Sequence, residues 1–223
     1  MSWEPLLLTL KLAVLTTIVL FVLSLPLAYW LAYSQARLKP VVEALVSMPL
    51  VLPPTVIGFY FLIAFSPGNA FGEWLNEWFG IQLVFSFSGL VVASLIYSLP
   101  FMVHPLQSGF AGLPESLREA ASLMGKSPFQ ILTRVLLPNI KPALLTGLVL
   151  AFAHTIGEFG VVLMIGGSIP GQTRVASIAI YDQVEAMNYG AANLYSGILF
   201  AVSFVILLSV YVINGGYLKR FWK

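Results

Sequence analysis

EAASLMGKSPFQILTRVLLP, residues 119–138, is a polar island set between apolar stretches. Nothing in bilayer chemistry requires it, so a membrane protein that keeps such a segment folded in water is presenting it to a soluble partner. Pro114 and Glu115 suit a first helical turn, one by its fixed φ and the other by complementing the positive dipole end. From Glu115 to Met124 no residue is β-branched, and Leu117, Glu119, Ala120, Ala121, Leu123 and Met124 favour helix. Gly125 falls where a helix closes with a left-handed residue. Ser127-Pro128-Phe129-Gln130 reads as a capping box with proline at the first helical position. Phe129, Leu132 and Leu136 then recur at i, i+3 and i+7, which predicts one apolar face, and Pro138 is expected to stop the second helix. Two short helices joined at Gly125 follow. Ala120 and Ala121 are small enough for another protein to approach the backbone, and Glu119 is placed to accept hydrogen bonds. A hairpin lying on lipid headgroups, its basic residues facing phosphates, satisfies the same local pattern.

The surroundings decide the class. The chain has 223 residues, 59% hydrophobic and 9% charged, with a mean hydropathy of +0.92. Soluble domains carry about 25% charged residues, so this is an all-α integral membrane protein. The net charge of +2 is too small and dispersed for nucleic acid, and the absence of cysteine excludes disulfides and thiolate metal sites. Met-Ser-Trp-Glu lacks the basic start of a signal peptide, and the apolar run behind it continues to Tyr33; we read it as a retained first span. Residues 6–33, 42–65, 84–110, 142–166 and 192–214 are each long enough to cross. All must be helical, because lipid offers no partner to an unpaired amide. The expected architecture is one polytopic bundle, residues 1–223, of about five transmembrane helices with a polar loop over 111–141.

Basic residues orient the bundle. With the N-terminus outside, the inner loops hold nine of the eleven, among them Arg37, Lys39, Arg118, Lys126, Arg134, Lys141, Lys219, Arg220 and Lys223. Lys11 and Arg174 remain. The outer side carries Glu4, Glu73, Glu77, Asp182 and Glu185, with Trp74, Trp78 and Phe79 suited to an interfacial belt. The N-out, C-in reading puts residues 119–138 in the cytoplasm.

Pro49, Pro53 and Pro54 interrupt the second span, and Pro100 and Pro105 the third. Each removes a helix donor and crowds the preceding turn. Such breaks are either packing kinks or walls of a translocation path; Pro53, Pro54 and Thr55 are the path candidates. In the fourth span His154 and Glu158 lie four apart, which predicts a shared helix face, with Thr155 beside them. An intramembrane acid is a functional hypothesis with His154 its natural partner; a structural hydrogen-bonded pair and a gating pair both fit. Two ligands are too few for a metal site. His104, beside Pro105, reads as a satisfied interior histidine. Gly147 to Ala151 and Ala153 to Gly157, with Gly160 beyond, are small-residue steps for close helix packing, within the chain or across a dimer. Gly125-Lys126-Ser127 imitates the tail of a phosphate-binding loop, but position 120 is Ala where that loop needs Gly, so any ATP is bound elsewhere. A proton-coupled secondary transporter would show more intramembrane ionisable groups or repeats. A non-transporting scaffold is a further alternative. No zinc or nucleophile-elbow motif suggests an enzyme.

Glu119-Ala120-Ala121, three residues, Gly125, nine residues, Val135, one residue, then Leu137-Pro138 resembles the EAA loop of bacterial ABC-importer permeases, with Val135 where Ile is usual. Residues 48–58 (MPLVLPPTVIG) and 152–167 (FAHTIGEFGVVLMIGG), the latter followed by Ile169-Pro170-Gly171, resemble the signatures of molybdate permeases. Sulfate and tungstate permeases share the scaffold and a related Gly-Glu-Phe/Tyr-Gly element. The resemblance implies the type I importer fold in the bacterial inner membrane, with residues 111–141 a cytoplasmic coupling loop and Glu119, Ala120, Ala121, Gly125, Val135, Leu137 and Pro138 docking on the ATPase. It also implies a homodimer, two cytoplasmic ATPase subunits that hold ATP and Mg, and a periplasmic molybdate-binding protein. This chain itself would bind no cofactor. Sparse cationic residues in the spans fit a weakly binding path, served by a separate capture protein.

Overall fold

The computed structural model describes residues 2–214; Lys219, Arg220 and Lys223, assigned above to the inner face, lie outside the described residues. Helix α1 (Glu4–Tyr33) opens with Pro5 in its first turn and buries Thr9, Ala13, Thr16, Leu20, Ser24, Ala28 and Leu31, a stripe at three- and four-residue spacing. That stripe packs on α5 (Phe87–Ala111). Contrary to expectation, Pro100 and Pro105 leave α5 unbroken. Each proline forfeits one hydrogen bond, and helices packed on both sides hold the remaining turns in line.

The second span does break. Helices α2 (Lys39–Val51) and α3 (Pro54–Phe65) meet at 112°. Leu52 and Pro53 both precede a proline, which disfavours the α conformation, and with two such residues in a row the chain turns extended; their ψ angles are 137° and 138°. Helix α4 (Ala70–Phe79) follows, capped by the Asn69 side chain and closed by left-handed Gly80. Trp74, Trp78 and Phe79 of α4 are exposed.

The polar island forms α6 (Glu115–Leu123), α7 (Pro128–Ile131), a π turn (Leu132–Leu136) and α8 (Leu137–Asn139). The chain then bends 82° into α9 (Lys141–Gly157). Residues 142–166 are therefore not one helix: α9 ends at Gly157, and α10 (Gly160–Gly166) begins after two non-helical residues. Helices α11 (Ala176–Glu185) and α12 (Tyr189–Asn214) complete the described chain. Among the described residues three unbroken helices are long and apolar enough to cross a membrane, and the two bent pairs bring the candidate spans to as many as five. Of residues 171–187, the stretch 173–179 packs into the bundle while 184–187 are exposed: Thr173, Ala176 and Ile178 are buried, and the Ala176 amide donates to Thr9 Oγ1 at 2.7 Å.

Two apolar clusters hold this together. One joins α1, α5 and α9 to the island through Leu20, Leu31, Phe110, Ala121, Ile131 and Leu136. The other joins α1, α5, α10 and α11 through Leu12, Leu90, Val161, Ile165 and Ile178. Gly147 meets Met102 of α5, with only 3.2 Å to Sδ from where a Cβ would stand, so that small-residue step is used within the chain. Gly157 meets nothing within 4 Å and is no packing step.

Candidate functional site

The island keeps most of its expected local structure. Gly125 has φ +72° and ends α6, and the Ser127–Gln130 capping box is complete in both directions. Pro114 is the residue before the helix rather than inside its first turn. Pro138 does not terminate the second helix; α8 runs through it to Asn139. The widened π turn ahead of it, closed by Leu137 N–H to the Leu132 carbonyl, accommodates a proline that lacks a donor and crowds the turn before it. That turn also shifts the apolar register. Ile131 and Leu136, five residues apart, are buried, while Phe129 is 74% exposed, so the predicted 129/132/136 face does not form.

Ala121 is buried in the chain's own core and is unavailable to a partner. Glu119 and Ala120 are exposed, and Glu119 has no hydrogen-bond partner among the described residues. Val135 and Leu137 are half-buried against the same core, and Pro138 is exposed. The tip carries what sequence reasoning missed: Leu123 and Met124, 89% and 76% exposed, beside Phe129. Large apolar side chains left exposed by a capped hairpin form a surface of the kind that a partner protein or a membrane covers. Their place on either side of Gly125 is the sequence signal. Below them Tyr29, Arg118, Glu119, Ser122 and Pro128 border a cavity of about 560 Å3.

The second constellation lies where two spans are interrupted. Gly160 packs on Pro54 and Gly58 on Met164, so α3 and α10 run in close contact. Pro54, Thr55, Tyr97, His154, Glu158 and Phe159 border a cavity of about 460 Å3; Pro53 sits at the adjacent corner, before α3. Glu158 does not share a helix face with His154, because it is the extended residue that caps α9. Flanking glycines weaken the helix there. Nor do the two pair. Glu158 Oε2 accepts from Ser94 Oγ at 2.7 Å, and His154 Nδ1 lies 2.9 Å from Ser98 Oγ. Ser98 also meets Thr155 Oγ1 at 3.1 Å, while Thr155 donates to the Ala151 carbonyl. Ser177 of α11 donates to the Glu158 carbonyl at 2.6 Å. Glu158 is 4% exposed, and its Oε1 has no partner among the described residues. The His154 ring stacks on Phe101 at 3.9 Å. Ser94 and Ser98, four apart on α5 like 154 and 158, carry the signal for these partners. His104 is satisfied as expected, 3.2 Å from Ser47 Oγ.

Chemically, this cavity offers hydroxyls, an imidazole and one carboxyl, with no Lys or Arg on its wall. Such a lining can solvate a polar ion in passing without trapping it. Among the described residues no three acids or histidines are grouped to hold a metal.

The pattern for binding-protein-dependent transport system inner membrane components matches residues 24–219. A molybdenum transport system permease protein of Azotobacter vinelandii is 47% identical, over 92% of this chain and 90% of its own. A sulfate transport system permease protein of Escherichia coli K12 is 32% identical, over 82% of this chain and 65% of its own. In fold, the chain is similar to the inward-facing MetNI methionine ABC transporter, with a TM-score of 0.73 and 19% identity, covering 97% and 99% of the two chains.

Proposed function

This chain belongs to the family of binding-protein-dependent transport system inner membrane components, and from that premise we propose that it is the permease subunit of a molybdate importer. It is a non-catalytic membrane component of an ABC transporter. Residues 1–223 form one transmembrane domain with the N-terminus outside and the C-terminus inside the bacterial cytoplasmic membrane. Two copies enclose the path. Two ATPase subunits, holding ATP and Mg, dock on residues 111–141 through Glu119, Ala120, Gly125 and the exposed tip, with Ala121, Val135, Leu137 and Pro138 shaping the loop. An extracytoplasmic molybdate-binding protein delivers the ion.

The observation that carries this reading is the capped hairpin with Leu123, Met124 and Phe129 exposed. Nothing among the described residues covers that tip, and a motor subunit would. When the ATPases close, the two hairpins approach and the bundles rock outward; hydrolysis resets them. The ion then passes the interrupted spans, past Pro53, Pro54, Thr55, His154, Thr155 and Glu158. Molybdate is favoured over sulfate by the higher identity and fuller coverage of the molybdenum permease.

The test is uptake of labelled molybdate into liposomes holding this chain, its ATPase and its binding protein. ATP-dependent uptake, competed by tungstate and weakly by sulfate, is the expected result. Uptake without the ATPase would overturn the importer reading, and stronger competition by sulfate would overturn the molybdate assignment.

A further inference from the structure

Among the described residues the island touches the membrane helices through one charged contact. The Arg118 guanidinium of α6 lies 4.7 Å from the centre of the Tyr33 ring, at the last residue of α1. Its Nη2 also donates to Glu115 Oε1 at 3.1 Å, which steadies the side chain from within α6. Tyr33 donates its hydroxyl to the Phe110 carbonyl at the inner end of α5, 3.0 Å away. Tyr29 meets the Tyr33 ring edge-on at 5.1 Å and the Phe110 ring at 5.7 Å. The inner ends of α1 and α5 are thus locked to one another, and Arg118 rests on the lock.

Among the described residues no hydrogen bond runs from α6 to a membrane helix. Apart from Arg118, α6 is seated by apolar burial of residues such as Ala121. Apolar contact is non-directional and lets a helix slide. A planar guanidinium over an aromatic face is directional and resists sliding. Helix α1 packs on α5, α9 and α11, so displacement of its inner end reaches the opposite end of the bundle.

Resting on the coupling reading of residues 111–141, we propose that Arg118 is a positioning residue whose stack on Tyr33 carries movement of the island into α1. Docking belongs to the exposed tip; transmission belongs to this pair.

The experiment uses the full transporter with its ATPase and binding protein in liposomes, and reads ions imported per ATP hydrolysed. Arg118→Ala and Tyr33→Leu should each lower that ratio by about two- to five-fold, the scale of a partly exposed cation–π contact, while the ATPase still co-purifies. The double variant should be no worse than the poorer single. Tyr33→Phe keeps the ring and should stay near the parent ratio, and Arg118→Lys should fall between parent and Arg118→Ala. If the double variant does not assemble, the cycle is run with Arg118→Lys and Tyr33→Leu. Multiplicative losses, or an unchanged ratio in Arg118→Ala, would overturn the proposal. So would loss of the ATPase from Arg118→Ala, which would place Arg118 in the docking surface instead. Failure of the docking reading shows separately, as an ATPase that stays bound when the tip residues are made acidic.

Discussion

Three glycines at the interrupted spans should respond oppositely to one added methyl group. At Gly58 a Cβ would stand 2.7 Å from Met164 Cβ and 3.1 Å from Val161 Cα, where ordinary contact begins at 3.4 Å. Helices α3 and α10 must therefore separate by about 0.7 Å (3.4 − 2.7). At Gly160 the clash is with Pro54 Cβ at 2.8 Å, a deficit of about 0.6 Å (3.4 − 2.8) against a stiff ring. Overpacking of this kind costs about 1–3 kcal/mol, while alanine's better helix propensity returns up to about 1 kcal/mol. Gly58→Ala and Gly160→Ala should lose about 1–2 kcal/mol net by that difference. Gly157→Ala, with open space around it, should be neutral or gain a few tenths of a kcal/mol. The assay is thermal unfolding of the detergent-solubilised protein, followed by molybdate uptake. A loss of a few degrees in midpoint is expected for the first two, with uptake lowered because the 460 Å3 cavity lies at the same α3–α10 contact. Equal destabilisation by Gly157→Ala, or none by Gly58→Ala, would refute the packing argument.

Gly125→Ala meets no atom within 4 Å, so its cost is the left-handed backbone alone, about 1–2 kcal/mol; the midpoint should fall by a few degrees, and uptake should fall further than in a Gly58→Ala protein of equal midpoint. Aspartate at Leu123, Met124 or Phe129 should release the ATPase on co-purification by about ten-fold or more, since each would leave a charge in a covered apolar contact, worth over about 1.4 kcal/mol; retained ATPase would place docking elsewhere. Ser94→Ala removes the donor to buried Glu158 Oε2 and should cost about 1–3 kcal/mol in unfolding. Glu158→Gln, whose amide oxygen still accepts from Ser94, should cost less than Glu158→Leu in the same measurement.

The hairpin was largely legible in the sequence because its determinants are local. Gly125 adopts the left-handed angle that closes α6, and Ser127 and Gln130 cap each other within four residues. The corner at Leu52–Pro53 was legible for the same reason: steric restriction before proline acts between neighbours. The partners of Glu158 and His154 were not. Ser94 and Ser98 lie 64 and 56 residues from them in the chain, and only the packing of α5 against the end of α9 brings them together. Periodicity misled where it assumed an unbroken helix, at Glu158 beyond Gly157 and at Phe129 ahead of the π turn. Proline misled in α5, where neighbouring helices outweigh two missing hydrogen bonds.

Composition and short-range sterics by themselves determined that the chain is a helical membrane bundle, with a capped polar hairpin and a broken second span. Hydropathy and backbone restriction depend only on which residues stand next to one another. Tertiary structure alone decided that Ala121 serves the core while Leu123, Met124 and Phe129 stay exposed, that Arg118 rests on Tyr33, and that α3 and α10 meet in tight contact. Those facts turn on which surfaces meet after the chain folds back, and burial is a property of the assembled bundle rather than of any segment in it.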